Sequence, residues 1–192
     1  RRTYTAAAGG VVPHDTTPAP GAYVGQLRDT GEWVQRWDGA EWRDYPARPA
    51  WQTWRPTWTT ATGARTPSYG NAAVTCRYLH DGPIVHMQFA VRFGDTTNFG
   101  NGDTGDNWHF SLSVPALASE VTIGMCELIA SNPVRAIGRM QTNGTGRFEI
   151  TIGSGKPNGT EVTSPGIVDS VSPWAWASGH SIIGAGAYPA AS

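Results

Sequence analysis

The residues best suited to chemistry crowd into one loop, 94–107 (GDTTNFGNGDTGDN), where Asp95, Asp103 and Asp106 stand among Asn98 and Asn101. Such a density of side-chain oxygens is what a calcium ion takes. The D-x-[DN]-x-[DN]-G spacing of a calcium loop is missing, however, and Asp, Asn and Gly are also ordinary turn formers. The segment reads as a turn-rich loop, and no metal or cofactor is expected. The histidines, His14, His80, His86, His109 and His180, form neither His-x-His nor His-Glu-x-x-His, so a zinc or iron site has weak support. His86 and His109 are expected on the less buried faces of their strands.

Other chemistries fail on spacing. Gly153-Ser154-Gly155-Lys156 has the ending of a phosphate-binding loop, but the first glycine is missing and Pro157 stands where Ser or Thr is needed. No Gly-x-Ser-x-Gly elbow occurs, and no Cys/His pair is placed to make a nucleophile. Glu32, Glu41, Glu120, Glu127, Glu149 and Glu161 could supply a carboxylate pair for glycan cleavage. Glu149, mid-strand beside Arg147 and Thr151, reads instead as part of a solvated face. Asn143-Gly-Thr and Asn158-Gly-Thr match glycosylation acceptors, but Asn-Gly is also the strongest hairpin turn and is read as one. No enzyme activity is expected.

The elements that must carry these residues are strands. In 83–93 (PIVHMQFAVRF), Val85, Met87, Phe89, Val91 and Phe93 alternate with Ile84, His86, Gln88, Ala90 and Arg92, the period of a half-buried strand. Upstream, Val74, Cys76 and Tyr78 alternate with Thr75, Arg77 and Leu79, and Asp81-Gly82 marks a hairpin between the two runs. Downstream, Trp108, Phe110, Leu112 and Val114 share a face, as do Val121, Ile123 and Met125, then Val134, Ala136, Gly138 and Met140. Asn143-Gly144 leads into Phe148, Ile150 and Ile152, and 181–188 closes the chain as a last strand. Short strands at roughly ten-residue spacing, with no βαβ alternation, predict an all-β protein with a β-sandwich of jelly-roll type.

Composition agrees. The chain has 192 residues with 24 Gly, 14 Pro and nine Trp, which favours short strands joined by turns over helices. The formal net charge is −1 and the arginines are scattered, so no field draws in nucleic acid. No apolar run approaches the roughly 18 residues that would cross a bilayer, and Arg1-Arg2 followed by small polar residues does not read as a secretory leader. Cys76 and Cys126 fall inside strand-like segments and are expected as two buried thiols rather than a disulfide.

In chain order, 1–18 is an extended N-terminal arm. Residues 19–45 are a small Trp-rich β-meander, with strands at 23–27, 32–37 and 41–44. About 27 residues cannot hold a core alone, so this unit needs neighbours or copies of itself. Residues 46–58 (PARPAWQTWRPTW) are a Pro/Trp-rich spacer and the domain boundary, and 59–192 is the sandwich domain.

The segment GAYVGQLRDTGEWVQRWDGAEW resembles the short "dTG..y.WdG..W" unit of bacteriophage tail-fibre and minor tail proteins. The larger domain is similar to the C-terminal sandwich of such proteins. The likeness there rests on WRPTW at 54–58, Gly70-Asn71, Arg77-Tyr78, GDTTNFG at 94–100, WHFSLSVP at 108–115, SPWAWASG at 172–179 and GAYPAA at 186–191. The resemblance covers about four fifths of the chain and lies in the order of these segments. It implies a virion protein of a phage tail or, alternatively, capsid surface. Such a protein is a homotrimer, joined to other virion proteins through its arm and to a host-surface glycan or receptor through its sandwich. Asn98, Phe99, Asn101, Asp103 and Asp106 are then the candidate receptor-binding residues, the aromatic stacking on a sugar face and the polar groups meeting hydroxyls. Trp33, Trp37, Trp51 and Trp54 are the candidate self-association residues. A decoration protein of the phage head and a carbohydrate-binding module are the alternative readings.

Overall fold

The computed structural model describes residues 11–12, 20–45, 49–100, 105–153 and 166–191, and every regular element among them is a strand. The chain divides into two compact units, Arg1–Pro49 and Ala50–Ser192.

The small unit is a four-stranded sheet of β1 (Val11–Val12), β2 (Leu27–Asp29), β3 (Val34–Trp37) and β4 (Trp42–Asp44), in that order. The expected strand over 23–27 is instead mostly a turn. Gly25 takes φ +93, Gln26 N–H donates to the Tyr23 carbonyl, and pairing begins only at Leu27. In the arm, Val11–Val12 pairs in parallel with Leu27 and Arg28, while 1–10 and 13–19 lie outside the described residues. The Asp38-Gly39 turn is tightened by Asp38, whose Oδ1 accepts from the Glu41 and Ala40 amides at 2.8 Å each. Those amides, with Arg43 beside them, bring the Asp38 carboxyl down to about 2.

In the larger unit the strands are β5 (Gln52–Trp54), β6 (Trp58–Thr60), β7 (Ala73–Val74), β8 (Cys76–Asp81), β9 (Ile84–Arg92) and β10 (Trp108–Ser111). They continue with β11 (Thr122–Ile129), β12 (Arg135–Thr142), β13 (Arg147–Ile152), β14 (Gly166–Ile167) and β15 (Ser181–Pro189). The hydrogen-bonded path runs β5-β8-β9-β15-β11-β12-β13-β10-β6, with β7 added to β9 and β14 to β13. Its two ends, β5 and β6, are consecutive in sequence and separated only by Arg55-Pro56-Thr57. Four Cα steps span at most ~14 Å, so the path must curl until its edges come together. Ring contacts across the interior agree: Phe89 on β9 meets Phe110 on β10 at 5.0 Å and Phe148 on β13 at 5.3 Å. The result is a sandwich with one core between its faces. The larger unit begins at Ala50, so 50–58 of the expected spacer lies within it and supplies β5 and the start of β6, while 46–48 lie outside the described residues.

The alternation of β9 holds, with Val85, Met87, Phe89 and Val91 each no more than 1% exposed. Asp81 pairs with Ile84 around Gly82, whose φ is +56. On β11 the expected face breaks. A bulge between Thr122 and Gly124 reverses the alternation, so Ile123, Cys126 and Leu128 point inward while Met125 is 52% exposed. Close backbone approach explains one glycine here, since a Cβ on Gly186 would collide with the Ile123 carbonyl.

Cys76 and Cys126 are both free and buried, as expected. Their Sγ atoms face the carbonyls of Ala90 and Gly138 at 3.7 and 3.6 Å. Burial pushes the thiols up to about 11 and about 12. A disulfide-exchange reagent at neutral pH should therefore find no reactive thiol in the native protein and two after denaturation. Rapid native labelling would show that these strands open.

Candidate functional site

Residues 94–100, the described first half of the 94–107 loop, are held against 68–71. Gly70, at φ +53, passes so close to Thr96 that a side chain there would strike the Thr96 carbonyl. This approach lets Asn71 bind the loop. Asn71 Nδ2 donates to Asp95 Oδ1 at 2.5 Å, and Asn71 Oδ1 accepts from Thr96 N and Oγ1 at 3.1 and 2.9 Å. Thr97 Oγ1 donates to the Tyr69 carbonyl at 2.9 Å. Asn98 exchanges backbone hydrogen bonds with Ser68 at 2.8 and 3.0 Å, and its Oδ1 accepts from Gly100 N.

Of the residues proposed for receptor binding, Phe99 is turned inward. Its ring lies 5.0 Å from Phe93 and stacks on Trp108 at 6.2 Å. Asp106 is 8% exposed, and its Oδ1 accepts from the amide and hydroxyl of Thr62 at 2.9 Å each. Burial alone would raise this carboxyl, but the Thr62 bonds outweigh it and bring it below the ordinary range. Asp106 thus clamps the turn after β6, and a core ring and a structural clamp replace two of the expected sugar contacts. Asn98 remains exposed, while Asn101 and Asp103 lie outside the described residues. Among the described residues, no three His, Cys, Asp or Glu side chains are placed to hold a metal.

The four tryptophans proposed for self-association separate. Trp54 packs inward, 6.3 Å from Phe89 and 6.4 Å from Phe148, and serves the sandwich core rather than a neighbour. Trp51 is 43% exposed with the Arg77 guanidinium 5.0 Å over its ring. Trp37 is 9% exposed and pairs with Trp42 at 5.5 Å, while Trp33 is half-buried. Trp33 and Trp37 line two separate open grooves of about 350 and 340 Å³ on the small unit, and Tyr45 forms a wall of both.

What the sequence reading missed is a buried polar network on β10 and β13. His109 and Glu149, expected on solvated faces, are 2% and 7% exposed. The register that pairs Phe110 with Phe148 and Ser111 with Arg147 places His109 opposite Glu149. Their Nε2 and Oε2 atoms are 3.5 Å apart, and Asn143 Nδ2 donates to the same Oε2 at 2.7 Å. His109 Nδ1 is buried and finds no hydrogen-bond partner among the described residues. Burial and then the nearby Arg147 charge hold His109 below the usual imidazole range, against the opposing pull of Glu149 and Asp106. Above this layer Arg147, its Nε donating to the Asn143 carbonyl at 3.1 Å, lines an open cleft of about 410 Å³ with Thr57, Thr59 and Ser111. No hydrogen bond joins His109 to a hydroxyl or thiol among the described residues; the polar group facing it is Glu149. The clue available in the sequence was the Asn143-Gly144 turn, which sets the hairpin register bringing Asn143 back beside Glu149.

In comparisons with known proteins, no family model, no curated protein and no solved structure matches the chain.

Proposed function

We propose that the chain is a non-enzymatic structural component of a bacteriophage virion, a tail-fibre or tail-tip protein that self-associates as a homotrimer and attaches to the host surface. The observation that carries this reading is the make-up of the small unit. Among its described residues only Trp37 is buried, while Tyr23, Val24 and Tyr45 are 43%, 65% and 49% exposed. Four short strands with so thin a core gain stability by covering apolar surface against other copies. The grooves beside Trp33 and Trp37 are where such copies would sit. Support also comes from the resemblance segments, since Gly70-Asn71 and GDTTNFG are the pieces that interlock in the larger unit.

Light scattering tests the assembly. The expected solution mass is three times 20.5 kDa. Trp37→Ala should shift it toward the monomer while the denaturation midpoint of the larger unit stays unchanged. A parent protein that remains monomeric at all concentrations would overturn the self-associating form of the proposal. Attachment is tested by adding purified protein to host cells, where it should block phage adsorption.

A further inference from the structure

A second cleft opens on the outer face of the sandwich, over β7, β9 and β15 and beside the β11–β12 turn, with a volume of about 420 Å³. Its size falls within the range of small-ligand sites. The walls are Ala73, Ala90, Ile129 and Ile183, small or branched apolar groups. Arg92 stands among them, in register between Ser181 on β15 and Ala73 on β7, so low side chains flank it on both sides.

Among the described residues no carboxylate lies within ion-pair distance of Arg92. The neighbouring arginine, by contrast, is committed: Arg135 bonds Glu127 Oε1 at 2.9 Å, and its Nη2 reaches Asn132 Oδ1 at 3.3 Å. That contact uses the Asn132 oxygen and not its amide nitrogen, for which no acceptor is found among the described residues, and Asn132 lines the cleft together with Thr75 and Ser131.

We propose that this cleft binds a saccharide bearing an oxyanion, with Arg92 taking the anionic group. A guanidinium matches a carboxylate or phosphate with two parallel hydrogen bonds. Thr75, Ser131 and Asn132 suit sugar hydroxyls, and the alanine and isoleucine walls suit the C–H face of a ring. An extended peptide is a poorer match, because β9 and β15 are hydrogen-bonded on both sides and offer no free backbone row. The anion is either a uronic-acid carboxylate or a polyol-phosphate diester. The biological setting rests on the attachment reading, but the binding itself does not.

The test titrates the whole protein, by calorimetry, with an oligogalacturonate, a neutral galacto-oligosaccharide of equal length and an oligo(glycerol phosphate). At least one anionic ligand should bind about tenfold more tightly than the neutral one, and its affinity should fall as salt rises. Which anion binds identifies the source. Arg92→Ala should lose about tenfold in affinity, whereas Arg139→Ala, a charge removed elsewhere on the unit, should leave it unchanged. Equal binding of neutral and anionic sugars, an unaffected Arg92→Ala, or no binding of either anion would overturn the proposal. So would a multimer dissolved by Ile183→Glu when no form binds saccharide, since a second copy would then own this face. Anion binding by a strictly monomeric protein that fails to block phage adsorption would sink the attachment reading and leave this site standing.

Discussion

Trp58→Ala is expected to cost the larger unit about 3–5 kcal/mol, a large share of the roughly 5–15 kcal/mol that holds a typical domain together. Trp58 is 5% exposed and its ring meets Tyr69, Phe93, Phe99, Trp108 and Phe110, the closest being Trp108 at 4.7 Å edge to face. It also sits on β6, the strand that closes the sheet path by pairing Trp58 with Phe110. Truncation therefore leaves a cavity at the junction of five rings and loosens the closing strand at the same step. The indole N–H has no hydrogen-bond acceptor among the described residues, so Trp58→Phe loses area and shape but no hydrogen bond and should be markedly milder. Urea unfolding followed by circular dichroism separates the two. An alanine variant within about 1 kcal/mol of the parent, well short of a core truncation, would show that closure does not depend on this ring.

The second large effect is a dependence on acid. The folded protein holds His109 below the ordinary imidazole range, so in mild acid the unfolded chain takes up a proton that the folded chain resists. Stability from this group is complete above about pH 6.5, the unfolded value. It declines as pH falls and levels off once the folded group also titrates. The steepest slope one such group can give is about 1.4 kcal/mol per pH unit. His180, also held low by burial, adds to the same window. His109→Gln should flatten the slope to the part His180 leaves. Glu149→Gln removes the carboxylate that favours the imidazolium and should extend the acid loss to lower pH. Glu149→Ala also strips Asn143 Nδ2 of its acceptor and should cost about 1–3 kcal/mol even at neutral pH. Denaturation midpoints across pH 5 to 8 read all three variants, and an unchanged acid slope in His109→Gln would remove His109 from this account.

Much of the architecture was legible from side-chain period alone. The inward faces of β9, β12 and β13, the Asp81-Gly82 and Asn143-Gly144 turns and the two free thiols follow from alternation and turn chemistry. Both are properties of a few adjacent residues, which is why a single chain reveals them. The density of tryptophan has a physical use as well. Trp54, Trp58, Trp108 and Trp176 join the phenylalanines in one continuous set of rings filling the sandwich.

The misses share a cause. Trp54 and Phe99 escape a sequence reading because an aromatic in a Pro- or Gly-rich stretch carries no local sign of which way it points. Their direction is set by strands that pair across the sheet, Trp54 with Cys76 on β8, and by a loop bound through Asn71. Alternation predicts one wet face and so places His109 and Glu149 in solvent, yet β10 is buried along most of its length on both faces. Met125 turned outward because of a single-residue bulge that no pattern in 121–129 announces.

The sequence alone thus determined an all-β chain, its hairpins and most of its core, since hydrophobic alternation and turn residues act over a few positions. The tertiary structure alone decided the closing role of 50–58, the buried His109–Glu149 pair and the cleft around Arg92. Each of these depends on which distant strands become neighbours, and that is set by closing one sheet around one shared core rather than by any local preference.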